Sequence, residues 1–172
     1  MKIETELSTS RITARNSLRS DLSFLTAIWF DEENGKYTSD PTEKYVDDAF
    51  RKAVDGIEEN PNGYYLTVLL KDTEKIIGSG FIFPDEKIGH YEIAYCIHKD
   101  YWRMGYGSEV VALLIRWIKE HGGTEVTAEV AKENTASNEL LKKSGFELVG
   151  ESSFKKYNMD ISFESYIYSF VL

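Results

Sequence analysis

The feature that most restricts how this chain can fold is the segment Tyr101-Trp102-Arg103-Met104-Gly105-Tyr106-Gly107-Ser108-Glu109, where two closely spaced glycines carry a strand-like run into a helix-like run. The first N–H groups of a helix have no intrahelical acceptor, and glycines there keep side chains out of the way. Such a turn is a ready anion site, so the segment predicts a grip on a phosphate-bearing ligand. A plain structural turn is the competing reading of a Gly-x-Gly taken alone. Two other phosphate loops are excluded: no Gly-Lys-Ser/Thr follows, and dinucleotide spacing would need glycine where the chain has Val110.

The 172 residues, 42% of them hydrophobic, suit one globular domain spanning 1–172 with a sizeable core. Twenty basic against twenty-nine acidic residues give a net charge of -9, which opposes binding to a nucleic-acid backbone. The same charge attracts cationic partners such as amines, or simply keeps the chain in solution. The single cysteine, Cys96, excludes an internal disulfide and reads as a small buried strand residue in a reducing, cytoplasmic setting. No apolar run approaches the roughly eighteen residues of a membrane span, so no membrane role is expected. The state of assembly is left open, a homodimer included.

Periodicity divides the chain. A strand over Arg11 to Asn16 precedes a helix capped by Ser20-Asp21 with Leu22, Leu25, Ile28 and Trp29 inward. The polar stretch Asp31 to Pro41 reads as a mobile connection, and Thr42 as the cap of a second helix carrying Tyr45, Val46, Ala49, Phe50 and Val54. Three antiparallel strands follow over Tyr64 to Lys71, Ile76 to Phe83 and His90 to His98. The glycine turn then feeds a helix over Ser108 to His121, a strand over Glu125 to Val130, a helix over Thr135 to Lys143, and strands over Phe146 to Gly150 and Phe163 to Val171. The expected class is α/β (α+β), with a mixed, largely antiparallel sheet of six or seven strands flanked by about four helices.

Strand Tyr91 to His98, the Trp102-x-x-Gly105-x-Gly107 loop, Asn134-x-x-Ser137 and Lys143-Ser144-Gly145-Phe146, in that order, resemble the GNAT family of N-acetyltransferases over most of the chain. Within it, Glu92-Ile93-Ala94-Tyr95, Tyr101-Trp102 and Gly105-Tyr106-Gly107-Ser108-Glu109 are similar to the ribosomal-protein alanine N-acetyltransferase branch. The resemblance implies acetyl-CoA as donor co-substrate, with no metal. It implies that backbone N–H groups of Arg103, Met104, Gly105, Tyr106, Gly107 and Ser108, beside Trp102, hold the pyrophosphate, and that the pantetheine arm bonds to the strand backbone around Ile97. Asn134 and Ser137 then face the cofactor. Two departures stand out. Most members carry Gln or Arg at the position of Trp102, and many carry, at that of Leu141, a tyrosine that protonates the departing thiolate.

Alternation places Glu92, Ala94, Cys96 and His98 on one strand face, where small residues beside a carboxylate leave room for a ligand. The bulky Tyr91, Ile93, Tyr95 and Ile97 take the other. Amide formation needs a neutral amine, and an alkyl ammonium has a pKa of about 10.4, so a base must remove a proton. Glu92 is the candidate base, with His90 and His98 as weaker alternatives, and Ser137 the candidate hydroxyl at the leaving sulfur. Tyr157, Tyr166 and Tyr168 are further proton sources of unknown placement. The acids of Asp31 to Asp40, with Asp47 and Asp48, would flank the acceptor side and steer a cationic acceptor. These residues predict direct acetyl transfer to a primary amine, on a protein N-terminus or a small molecule. The alternative is a non-catalytic acyl-CoA-binding or sensing domain, motivated by Leu141.

Overall fold

A computed structural model describes residues 1–172. The strands are β1 (Leu7–Ser8), β2 (Ile12–Asn16), β3 (Tyr64–Leu70), β4 (Ile76–Pro84), β5 (His90–Ile97), β6 (Glu125–Ala131), β7 (Glu147–Lys155) and β8 (Ser162–Val171). The helices are α1 (Leu22–Trp29), α2 (Asp48–Asp55), α3 (Tyr106–Glu120) and α4 (Thr135–Lys143). All eight strands join one sheet in the order β1-β2-β3-β4-β5-β6-β8-β7. Only β5 and β6 run parallel, because α3 lies between them in sequence and carries the chain back along the sheet. The count exceeds the expected six or seven by β1, whose two residues are too short to show a period.

Each face of the sheet has its own core. The apolar stripe of α3, Val110, Val111, Leu114, Trp117 and Ile118, packs with Leu141 of α4 onto Leu66, Ile82, Ile93 and Val126. At roughly 1.5–3 kcal/mol for each large side chain buried, this stripe stabilises the helix far more than its glycine start costs. On the opposite face Leu22, Leu25, Ile28 and Trp29 of α1 cover Cys96, with Phe81 and Tyr65 alongside. The Trp29 indole N–H donates to Ser79 Oγ at 3.0 Å, which satisfies both buried groups.

Three local expectations are corrected. Asp21 does not cap α1 with its side chain; it accepts from Leu18 N–H and pairs with Arg15, and a 3-10 turn over Arg19–Asp21 leads into the helix. Thr42 opens only a 3-10 turn over Glu43–Tyr45, and α2 starts later because Asp47 accepts from the Phe50 N–H at 2.8 Å. The stretch Asp31 to Pro41, expected as a mobile connection, is tied down: Lys156 Nζ donates to the carbonyls of Gly35 and Asp40, each at 2.7 Å, and Lys156 is 3% exposed.

Asp21 joins three elements at one point. Arg15 of β2 reaches it through both guanidinium nitrogens at 2.7 and 3.0 Å, and Thr67 of β3 donates to it at 2.9 Å. Burial pushes its pKa up most, but the hydrogen bonds from Arg15, Leu18 and Thr67 and the Arg15 charge together outweigh that and lower it. A carboxylate with a lowered folded-state pKa stabilises above its unfolded pKa of about 3.9 and loses that contribution as the pH falls through the folded value. Asp21→Asn should therefore cost about 3 kcal/mol in urea unfolding near neutral pH, with the gap to wild type narrowing as the solution is acidified below about 4.

Candidate active site

The site begins where β5 and β6 part. Their pairing covers only His90 with Glu125, Tyr91 with Val126 and Glu92 with Thr127, yet β5 runs on to Ile97 and β6 to Ala131. On its other side β5 stays paired with β4 as far as Ile97 opposite Gly78. Asp85 donates to the His90 carbonyl and His98 to the Ile77 carbonyl, which fixes the phase of the β4–β5 ladder. Residues at even positions of β5 spend their backbone groups on β4, so the N–H and C=O groups of Tyr95 and Ile97 point into the wedge. The Ile97 carbonyl is already taken, by the Trp102 indole N–H at 2.6 Å and by Asn34 Nδ2 at 2.8 Å. The Ile97 N–H remains directed at the opening.

Beyond β5, a 3-10 turn over Lys99–Tyr101 leads to the glycine turn. Arg103 and Gly105 have φ of 61° and 84°, and Gly105 is the N-cap of α3. That left-handed backbone is easy for glycine and strained for a branched side chain. None of the backbone N–H groups from Arg103 to Ser108 donates to a protein acceptor, and the first intrahelical bond runs from Glu109 N–H to the Gly105 carbonyl. The result is a cluster of free donors at the positive end of the helix dipole. Gly107 lets α4 come close, since a Cβ there would stand 2.8 Å from Leu140 Cδ1 and that side chain would have to shift.

Arg11, which the sequence reading overlooked, braces this turn. It donates to Glu109 Oε1 and to the Met104 carbonyl, and its guanidinium lies 4.5 Å from the centroid of the Tyr106 ring. Asn138 is a second omission. Its amide nitrogen donates to the carbonyls of Ala131 and Asn134, and its oxygen accepts from Tyr168 at 2.8 Å, which fixes α4 against β6 and β8. The partners of Arg11 and the Tyr168 that meets Asn138 lie far off in the chain, so no local pattern announces them.

Glu92 is the last β5 residue paired with β6 and lies at the apex of the wedge, on the α1 side of the sheet. Although its surface is exposed, enough protein surrounds the carboxylate that lost hydration raises its pKa, aided by the negative charges of Glu129 and Asp85. Glu129 lies across the wedge on β6 and accepts a 2.5 Å hydrogen bond from Ser165 Oγ. The room expected beside Ala94 and Cys96 is narrower than the sequence implied, because α1 covers Cys96 and burial pushes its thiol up to about 12.

Ser137 stands in the first turn of α4 and Asn134 at its N-cap. The Asn134 side-chain oxygen accepts from the Ser137 N–H at 3.2 Å, so one end of that amide serves the helix. Leu141 is fully buried in the core. The other candidate groups are engaged elsewhere: His90 pairs with Glu125 at 3.0 Å, His98 Nδ1 accepts from the Asp100 N–H, and the Tyr157 and Tyr168 hydroxyls donate to Asp47 and Asn138. Several acids expected to steer an acceptor are likewise occupied, since Glu33 and Asp31 face Lys99 at 2.8 and 3.7 Å and Asp47 caps α2. No group of three or more His, Cys, Asp and Glu side chains is placed to hold a metal ion, and no helix is long and apolar enough to cross a membrane.

A wedge with a free backbone edge runs from a nest of N–H donors to an unpaired carboxylate, an arrangement that could take an extended ligand with an anionic end. Residues 11–147 match the family described as Acetyltransferase (GNAT) domain, and the chain belongs to that family. It is similar to the uncharacterised N-acetyltransferase p20 of Bacillus licheniformis, at 29% identity over 152 residues that cover 84% of this chain and 83% of the relative. A GNAT-family acetyltransferase structure from Bacillus anthracis superposes with a TM-score of 0.80 at 20% identity, covering 97% of this chain and 98% of that one. RimL, a ribosomal L7/L12 alpha-N-protein acetyltransferase solved with coenzyme A, superposes with a TM-score of 0.78 at 15% identity, covering 98% of each chain. The chain is an acetyl-CoA-dependent N-acetyltransferase.

Gly105→Val tests the donor nest. The branched side chain opposes the left-handed backbone at a cost of about 1–2 kcal/mol, small beside the α3 core. Circular dichroism should therefore show the fold retained while calorimetric titration with CoA shows binding lost; undiminished affinity would remove the turn from the site.

Proposed function

We propose that the chain transfers the acetyl group of acetyl-CoA to a primary amine by direct attack within the wedge, without a covalent enzyme intermediate. The observation that carries this reading is continuity: the free N–H groups from Arg103 to Ser108 lead to the unpaired edge of Tyr95 and Ile97, and that edge ends at Glu92. The nest takes the pyrophosphate, Trp102 flanks it, and the arm lies along β5. An N–H on that edge donates to the thioester carbonyl and stabilises the negative oxygen that forms as the amine attacks. Glu92, raised by lost hydration and by its acidic neighbours, accepts the amine proton. Asn134 and Ser137 border the arm from α4, with the Ser137 hydroxyl as donor to the leaving sulfur.

The acceptor is a cation until it is deprotonated, and Glu92 with Glu129 gives the acceptor side of the wedge a negative pair. RimL supports a protein N-terminus by its own activity on a ribosomal protein, and a small amine fits the same chemistry. Leu141, buried where many family members place a proton-donating tyrosine, leaves the departing sulfur to another group, and Ser137 takes that place.

Glu92→Gln tests the base. In an acetyl-CoA consumption assay across peptide N-termini, polyamines, amino acids and aminoglycosides, the variant should lose about 100-fold in kcat/KM near neutral pH, and less at high pH where the amine is already neutral. A base must be ionised to act. The wild-type rate should therefore fall as the pH drops through a Glu92 pKa above the ordinary value of about 4.3, and this limb should be absent from the variant. Equal rates would remove Glu92 from the mechanism, and CoA binding with no turnover of any amine would overturn the proposed acetyl transfer to a primary amine.

A further inference from the structure

Tyr95 carries a hydroxyl for which neither the fold nor the steps above have a use. Its side chain leaves β5 on the face that packs against α3 and α4. The ring passes under the glycine turn, with Cε2 3.6 Å from where a Cβ of Gly107 would stand. At the far end of the ring, the hydroxyl oxygen is sealed from solvent and makes no hydrogen bond, the only buried side-chain nitrogen or oxygen in the structure so placed. Buried hydroxyls nearly always find a partner, and one left without is costly, so this atom calls for an explanation. Its polar neighbour is Ser137, which comes near enough to affect the hydroxyl without completing a hydrogen bond. Ser137 Oγ makes no hydrogen bond of its own, since only the Ser137 N–H is engaged, by Asn134.

We propose that Tyr95 is a positioning residue: its hydroxyl donates to Ser137 Oγ during the reaction and turns the single Ser137 hydrogen toward the sulfur of the departing CoA. The inference rests on the acetyl-transfer reading and supplies what the leucine at 141 cannot. Burial pushes the Tyr95 hydroxyl up to about 12, so it stays protonated and keeps a hydrogen to give to Ser137. A serine that accepts one hydrogen bond keeps its own hydrogen to give. An ammonium loses two protons on its way to an amide: the first passes through Glu92 to water and frees the amine, and the second goes to Glu92 after attack; the tetrahedral intermediate then collapses, the C–S bond breaks and its electron pair goes to sulfur. The thiolate, held by the Ser137 hydrogen bond, takes its proton from water, and neither hydroxyl gives up its own.

The test is a double-mutant cycle of Tyr95→Phe and Ser137→Ala, read by kcat and by KM for acetyl-CoA, with the melting temperature of each variant. Removing an unpartnered buried hydroxyl should leave the melting temperature of Tyr95→Phe at or above wild type and KM within about twofold. Its kcat should fall about tenfold, the rate equivalent of one net hydrogen bond. Ser137→Ala should lose at least as much, and the double variant no more than Ser137→Ala alone. A Tyr95→Phe enzyme with full kcat, losses that multiply in the double variant, or a fall in kcat accompanied by lower melting temperature and higher KM would each overturn the proposal. A wild type that turns over no amine would fail the acetyl-transfer reading and this inference with it, whereas an active wild type with an unaffected Tyr95→Phe fails this inference alone.

Discussion

The early end of the β5–β6 pairing is the constraint on which the rest of the site depends. β5 is bonded to β4 along its length and β6 is bonded to β8 from Glu125 to Ala131, so each strand is held by an outer neighbour and can leave the other. A free strand edge is normally a liability, because its polar groups must find partners. Here the chain covers part of it. Trp102 and Asn34 occupy the Ile97 carbonyl, leaving the N–H of the same residue as the exposed group. The edge thereby gains donor character and favours a ligand that presents carbonyl oxygens, as an acyl-pantetheine arm does.

The proposed anion end of the wedge offers a way for an acidic chain to bind a phosphate. A net charge of -9 opposes an anion at long range, but fields from exposed charges fade over roughly 10 Å in salt, and contact is decided locally. Locally there are only N–H donors and a helix start. Arg11, just before β2, is tied to Glu109 and to the Met104 carbonyl at the start of α3, and a turn braced in this way has less to order when a ligand binds. At the other end, Glu92 and Glu129 set an opposite polarity for an amine. On the proposed reading, the wedge places a phosphate-binding end and a proton-accepting end on one continuous backbone.

Much of this was legible in short-range pattern. The α3 stripe, the alternation of β5 and the position of the glycine turn at the start of α3 are each written within a dozen or so residues, and the structure has all three. The wedge was not, because it is a matter of register between β5 and β6, which are separated by the whole of α3. Residues that answer to distant partners were misread for the same reason. Asp21 looked like a cap and is the partner of Arg15; Asp31 to Pro41 looked free and is held by Lys156, on the turn between β7 and β8. Tyr95 looked like one more bulky core residue of β5, and only burial and hydrogen bonding together distinguish its hydroxyl.

Amide hydrogen exchange at β5, followed by NMR with and without CoA, tests the wedge most directly. Ala94 and Cys96 donate to β4 and should exchange slowly in both states, whereas Tyr95 and Ile97, whose N–H groups face the opening, should exchange faster until CoA slows them. Protection gained at Tyr95 and Ile97, together with the amides from Arg103 to Ser108, is the predicted result. Protection of the glycine turn with no change at Tyr95 and Ile97 would contradict an arm bound along β5.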